Sequence, residues 1–246
     1  MQPEGCADSP NSFGDVRWSW ASVLVTLSLY QVLWNLPHWR YLALWPEKNE
    51  SLDVQALLNR EYLSLILSLG IKVVVVILIF VLFCYSKSRW TSIGISFLGE
   101  RSKLFLVALL TLWTLVLGYS LNAALEIHGP QKSTFPDAPP ITKNLVLLNL
   151  FFRGLCGPAC EEIIFRAFLF LSVRRYLGPK WGVFLSGLIF GLAHYNGGIT
   201  QIVFTFSVGL LLCYFYGKTK SLPQVILLHS SMNIGRHLLA LARGHL

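Results

Sequence analysis

CGPACEEIIFRAFLFL, residues 156–171, sets Glu161, Glu162 and Arg166 inside a run that is otherwise apolar. A charge placed in hydrocarbon costs a few kcal/mol, so such groups mark a cavity, a partner or a functional site. Glu162 and Arg166 are four residues apart, which puts them on one face of a helix as an ion pair. Glu161 is rotated from Glu162 by about 100° on a helix of 3.6 residues per turn, and faces something other than Arg166. That remaining carboxylate reads as the chemical centre.

Outward from this stretch the chain is strongly apolar. Of its 246 residues 54% are hydrophobic and 13% charged, with a mean hydropathy of +0.57. Several runs reach the ~20 apolar residues that a bilayer-crossing helix needs. The expectation is an all-α, polytopic transmembrane helix bundle of about seven spans, with six to eight allowed. Residues 1–15 form a polar N-terminal tail, and 16–246 a single transmembrane helical domain with its core at about 145–241. The tail carries Glu4, Asp8 and Asp15 where a signal peptide would be basic, so no cleavable leader is expected. The net charge of +8 comes from basic residues between apolar runs, which are topology signals and do not indicate a nucleic-acid partner. Their larger share on one side places the N-terminus in the cytoplasm. Five scattered cysteines lack paired metal spacing and read as buried small hydrophobes.

The expected spans run from about Trp18 to Leu36, Tyr62 to Tyr85 and Leu104 to Leu125. They continue with the charged helix at about Pro158 to Tyr176, then Trp181 to Tyr195, Ile199 to Tyr216 and Leu222 to Leu241. Ser51 to Leu58 suggests a short interfacial helix capped by Ser51. Gly154, Gly157 and Pro158 allow either one long kinked helix or two joined there. Lys72, alone in the second span, either packs against the bundle or snorkels. The prolines between Glu126 and Lys143 make that segment an extended loop. No internal repeat supports an inverted-repeat transporter.

Two polar motifs follow the charged helix: FGLAH at 190–194 and HSSMN at 229–233. At 1.5 Å per residue from one membrane face, Glu161 lies ~22 Å deep, His194 ~20 Å, His229 ~10 Å and Asn233 ~16 Å, so three helices can meet on one site. Glu161, His194 and His229 are therefore expected to line a common water-accessible cavity. Arg236 follows His229 by seven and Asn233 by three and shares their helix face. It is a candidate for binding a substrate carboxylate, against the alternative that it snorkels to the surface. His38, His128 and His245 fall in loops or the tail and read as solvated, and Ser230 and Ser231 as satisfying helix carbonyls.

EEIIFR, FGLAH and HSSMN resemble the EExxxR, FxxxH and HxxxN motifs of the CAAX prenyl protease 2 and bacteriocin-processing (Abi, CPBP) intramembrane proteases. The resemblance covers about Leu145 to Leu241. It implies an all-helical intramembrane endopeptidase in which Glu161 with His194 activates water, His229 and Asn233 stabilise the oxyanion, and Glu162 with Arg166 braces the site. It implies a membrane-associated protein or peptide substrate, prenylated or carrying a C-terminal sorting signal. The expected setting is a multi-pass protein of the plasma (bacterial inner) membrane in preference to the endoplasmic reticulum. The chemistry accords with this, since peptide hydrolysis needs a base for water and donors for the oxyanion. No cofactor is expected. The competing reading takes Glu161, His194 and His229 as zinc ligands, although no HExxH is present. A non-proteolytic membrane scaffold, a bacteriocin-immunity protein and a proton-coupled transporter relaying protons through Glu161 and His194 remain as other classes.

Overall fold

The computed structural model describes residues 18–19, 21–30, 54–86, 90–95, 107–113, 116, 142–195 and 198–242. The expectations for the N-terminal tail, the proline-rich loop and the histidines at 38, 128 and 245 lie outside them. Every regular element among the described residues is helical. In chain order these are α1 (Ala21–Tyr30), α2 (Val54–Tyr85), a 3₁₀ turn (Trp90–Ile93) and α3 (107–113). They are followed by α4 (Lys143–Asn149), α5 (Gly157–Glu162), α6 (Leu171–Leu177), α7 (Pro179–Leu192), α8 (Gly198–Thr219) and α9 (Leu222–Ala242).

Helices α4, α5 and α6 are parts of one rod. Leu150–Cys156 and Ile163–Phe170 join them with π-type turns, and every junction keeps right-handed helical dihedrals. Of the two arrangements left open for Gly154 to Pro158, the rod is the one adopted. Pro158 has no N–H to give the preceding turn. The π-type turn before it absorbs the defect, with Gly157 N–H bonding to Phe152 O. Thr142 caps the rod by accepting from Leu145 N at 3.2 Å, so the helix begins at Lys143, ahead of the apolar run. At the other end Gly178 takes φ +86, a backbone region that favours glycine, and Pro179 starts α7.

The rod is the centre of the bundle. Ile164 to Val173 are buried without a break, as expected for a helix apolar on all sides. Phe165 meets Tyr30 of α1 edge-on, with centroids 5.9 Å apart, and Phe168 lies 4.5 Å from Trp18. Ser186 of α7 donates to Phe165 O at 2.7 Å, satisfying a carbonyl within a π-type turn. Close approach of α7 and α8 rests on small residues: a Cβ on Gly191 would come within 2.8 Å of Phe206 Cβ, and one on Gly209 within 3.0 Å of Gly187 Cα.

Among the described residues two helices are long and apolar enough to cross a bilayer, Glu61–Tyr85 within α2 and Gly198–Thr219. Both were expected as spans. Leu63, Ile66, Val74, Ile77, Phe80 and Val81 of α2 are exposed, an outward face suited to lipid. The shorter α7 and the charge-bearing rod and α9 fall below that test, and α1 and α3 are described only in part. The proposed interfacial helix at 51–58 is corrected in its described part, because residues 54–58 belong to α2 itself.

Candidate functional site

The π-type segment after Glu162 and the buried course of the rod bring its charged residues into the middle of the bundle. Glu162 and Arg166 are each completely buried, and Arg166 Nε lies 2.9 Å from Glu162 Oε2. Two uncompensated charges there would be prohibitive, and their pairing is what the four-residue spacing predicts. The guanidinium also faces the Phe190 ring at 4.6 Å and reaches Gly209 O at 3.4 Å. Aromatic face and carbonyl together stabilise the cation on the sides that Glu162 leaves open.

His229 of α9 lies against the same carboxylate, with Nδ1 2.7 Å from Glu162 Oε1. A carboxylate accepts, so Nδ1–H donates and Nε2 is the lone-pair nitrogen of the neutral ring. That nitrogen faces Glu161 Oε2 at 3.8 Å, too far for a direct hydrogen bond. Glu161 is itself buried, and its other oxygen, Oε1, is 2.6 Å from Lys72 Nζ of α2. Lys72 is buried as well, which decides between packing against the bundle and snorkelling. A Cβ on Gly157, one turn before Glu161, would lie 3.4 Å from Lys72 Nζ, in ordinary van der Waals contact.

The result is a buried line of groups with alternating charge: Lys72, Glu161, His229, Glu162 and Arg166. Two cations balance two carboxylates, so the line is neutral when His229 is neutral. His194 follows the end of α7, half-buried, and its Nδ1 donates to Phe190 O at 2.8 Å. Phe190 O is one of the terminal carbonyls that helix geometry leaves without an intrahelical donor. His194 Nε2 is thereby the acceptor nitrogen of the neutral ring, as in His229. Phe190 also forms the wall between these groups, with centroids 4.8 Å from His194 and 5.7 Å from His229. Glu161 interacts electrostatically with both histidines.

Glu161, Glu162, Arg166, His194 and His229 are thus brought to one place, from the rod, α7 and α9. Asn233 lies one turn beyond His229 and donates its amide to Arg153 O of the rod at 3.1 Å. Arg153 in turn is paired with Glu61 of α2 at 2.7 Å. Arg236 is exposed on α9 and makes no ion pair among the described residues. Two contributors escaped the sequence reading. Phe190 carries the motif's first position and was given no role, and Lys72 was left without its partner. The latter had a signal: a lone intramembrane lysine needs a counter-charge, and Glu161 was the carboxylate that Arg166 left unmatched.

As for zinc, no three His, Cys, Asp or Glu side chains among the described residues are grouped to hold a metal ion. The Lys72 ammonium lies against the carboxylate that would be a ligand. The set Glu161, His194 and His229 therefore does not fit a metal in this arrangement.

The class that this fold and site define is a helical bundle with a buried, charge-balanced glutamate and histidine cluster at its centre and, among the described residues, two helices long and apolar enough to cross a bilayer. Residues 143–235 match the family described as type II CAAX prenyl endopeptidase Rce1-like, which supports the resemblance that the three motifs carry over that segment. The chain is also 27% identical over 88 residues to a Bacillus subtilis (strain 168) protein named "Putative membrane peptidase YdiL". The similarity takes in 36% of this chain and 35% of the relative, so the chain spans about a third of the length of the curated relative it matches. No solved structure matches it.

Proposed function

We propose that the protein is an intramembrane endopeptidase that hydrolyses a peptide bond near the terminus of a membrane-associated protein or peptide. The observation that carries this reading is the facing pair Glu161 Oε2 and His229 Nε2, 3.8 Å apart at the end of a braced network. The match of residues 143–235 to a peptidase family supports it.

In this reading Glu161, with His194, takes the proton of a water that attacks the peptide carbonyl. Both histidines have Nδ1 committed, to Glu162 and to Phe190 O, so each turns Nε2 to the reaction. His229 can donate from Nε2 to an oxyanion only as an imidazolium. The carboxylates on either side, Glu162 and Glu161, are suited to stabilise that form. Asn233 is the second oxyanion donor, through the amide N–H that Arg153 O does not use. Glu162 and Arg166 keep His229 in its tautomer and orientation. The substrate is a protein that is prenylated or carries a C-terminal sorting signal, with Arg236 receiving a terminal carboxylate. The membrane is the plasma (bacterial inner) membrane. This mechanism uses no cofactor.

A proteomic comparison of cells carrying the wild-type chain with cells carrying Glu161→Gln tests this, at matched levels of membrane-inserted protein. One or more membrane-associated proteins should keep an unprocessed terminus in the variant. Identical termini in the two proteomes would overturn the reading.

A further inference from the structure

Lys72 lies outside the matched segment 143–235, on a helix that carries none of the three motifs, yet its ammonium makes the shortest polar contact of the cluster, 2.6 Å to Glu161 Oε1. Both side chains are buried, so each is the other's immediate counter-charge in a medium that would otherwise penalise both. With Oε1 taken, Oε2 is the oxygen turned to His229.

We propose that Lys72 is a positioning residue of this site: its ammonium holds the Glu161 side chain as a carboxylate, with Oε1 fixed and Oε2 presented to His229 and to the reacting water. The proposal rests on Glu161 being the reacting group. It makes α2 part of the functional unit, so that residues 143–235 alone would not build a competent site. Tyr30, Cys160, His194, His229 and Arg236 also interact with Lys72 or Glu161. Of these only Arg236 is a permanent cation, and it is exposed. Lys72 is the cation in hydrogen-bonding contact with Glu161 among the described residues. When Glu161 accepts a proton from water its charge passes to the oxyanion, and the ammonium stays on Oε1.

Dicyclohexylcarbodiimide couples to protonated carboxyl groups in apolar surroundings and spares carboxylates. The full-length chain, purified in detergent at neutral pH, is treated with this reagent as wild type, Lys72→Met, Lys72→Arg and Glu161→Gln, and the label is located by peptide mass spectrometry. Glu161 should stay unlabelled in wild type and in Lys72→Arg. It should gain label by about tenfold or more in Lys72→Met, since a buried carboxylate without a partner takes a proton rather than remain charged. Label at Glu161 in wild type, none in Lys72→Met, or equal label in the Met and Arg variants would overturn the proposal. Should Lys72→Met not fold, the double variant Lys72→Met/Glu161→Gln decides, because it removes both charges together. Its unfolding temperature should return to within a few degrees of wild type, and a failure to recover overturns the pairing. If processing is absent in cells while the labelling pattern holds, the peptidase reading falls and the role of Lys72 in fixing Glu161 stands. If processing depends on Glu161 while the pattern fails, only the role of Lys72 falls.

Discussion

Arg166 Nε lies 2.9 Å from Glu162 Oε2 in a part of the bundle where neither residue is exposed at all. Removing one partner leaves the other charged and buried, which costs about 3–5 kcal/mol, a large part of a typical domain's stability. Glu162→Gln and Arg166→Ala should therefore lower the yield of folded protein and its unfolding temperature in detergent. Wild-type unfolding curves for both variants would show that this pair is not structural.

The commitment of His229 Nδ1 to Glu162 separates the two nitrogens of that ring experimentally. An asparagine amide can reproduce Nδ1–H but has nothing at the Nε2 position. His229→Asn should thus keep the contact to Glu162 and stay within about 1–2 kcal/mol of wild-type stability, the scale of one hydrogen bond. Processing in cells should be lost. Retained processing would remove Nε2 from the mechanism.

Much of this arrangement was legible before the structure. The spans expected at Tyr62 to Tyr85, Ile199 to Tyr216 and Leu222 to Leu241 fall within α2, α8 and α9, and the convergence of Glu161, His194 and His229 follows from depth along ideal helices. The continuous rod from residues 143 to 177 was not decided, because Gly154, Gly157 and Pro158 fit a break as well as a helix. A π-type turn has no sequence pattern as distinct as a cap or a period. Lys72 was visible as an anomaly, but its partner sits 89 positions away, and pairing residues across helices requires the packing itself. Asn233 shares the helix face of His229 as spacing predicts, and its amide is partly taken by Arg153 O, a contact that depends on how the rod lies against α9.

The α7 and α8 contact offers a test of how tightly the cluster is held from behind. A methyl on Gly191 would fall 2.8 Å from Phe206 Cβ and 2.9 Å from Ile202 O, atoms that cannot swing aside. Alanine is the better helix former by about 1 kcal/mol. Overpacking costs about 1–3 kcal/mol, so the loss should win. Gly191→Ala is expected to lower the unfolding temperature, and an increase would mean that the helices separate easily.

Arg236 is the exposed cation on the helix that carries His229 and Asn233, and it lacks an ion-pair partner among the described residues, whereas Arg153 is paired with Glu61. A guanidinium so placed can take a carboxylate in a bidentate pair. If it holds the terminal carboxylate of the substrate, Arg236→Ala should raise KM for a free-acid peptide by about tenfold, equivalent to 1.4 kcal/mol, and leave the C-terminal amide nearly unchanged. The two peptides differ only in the group that Arg236 would contact, so any general damage to the site affects both alike. Equal loss on both peptides, or loss on neither, would return Arg236 to the role of a basic side chain reaching for the membrane surface.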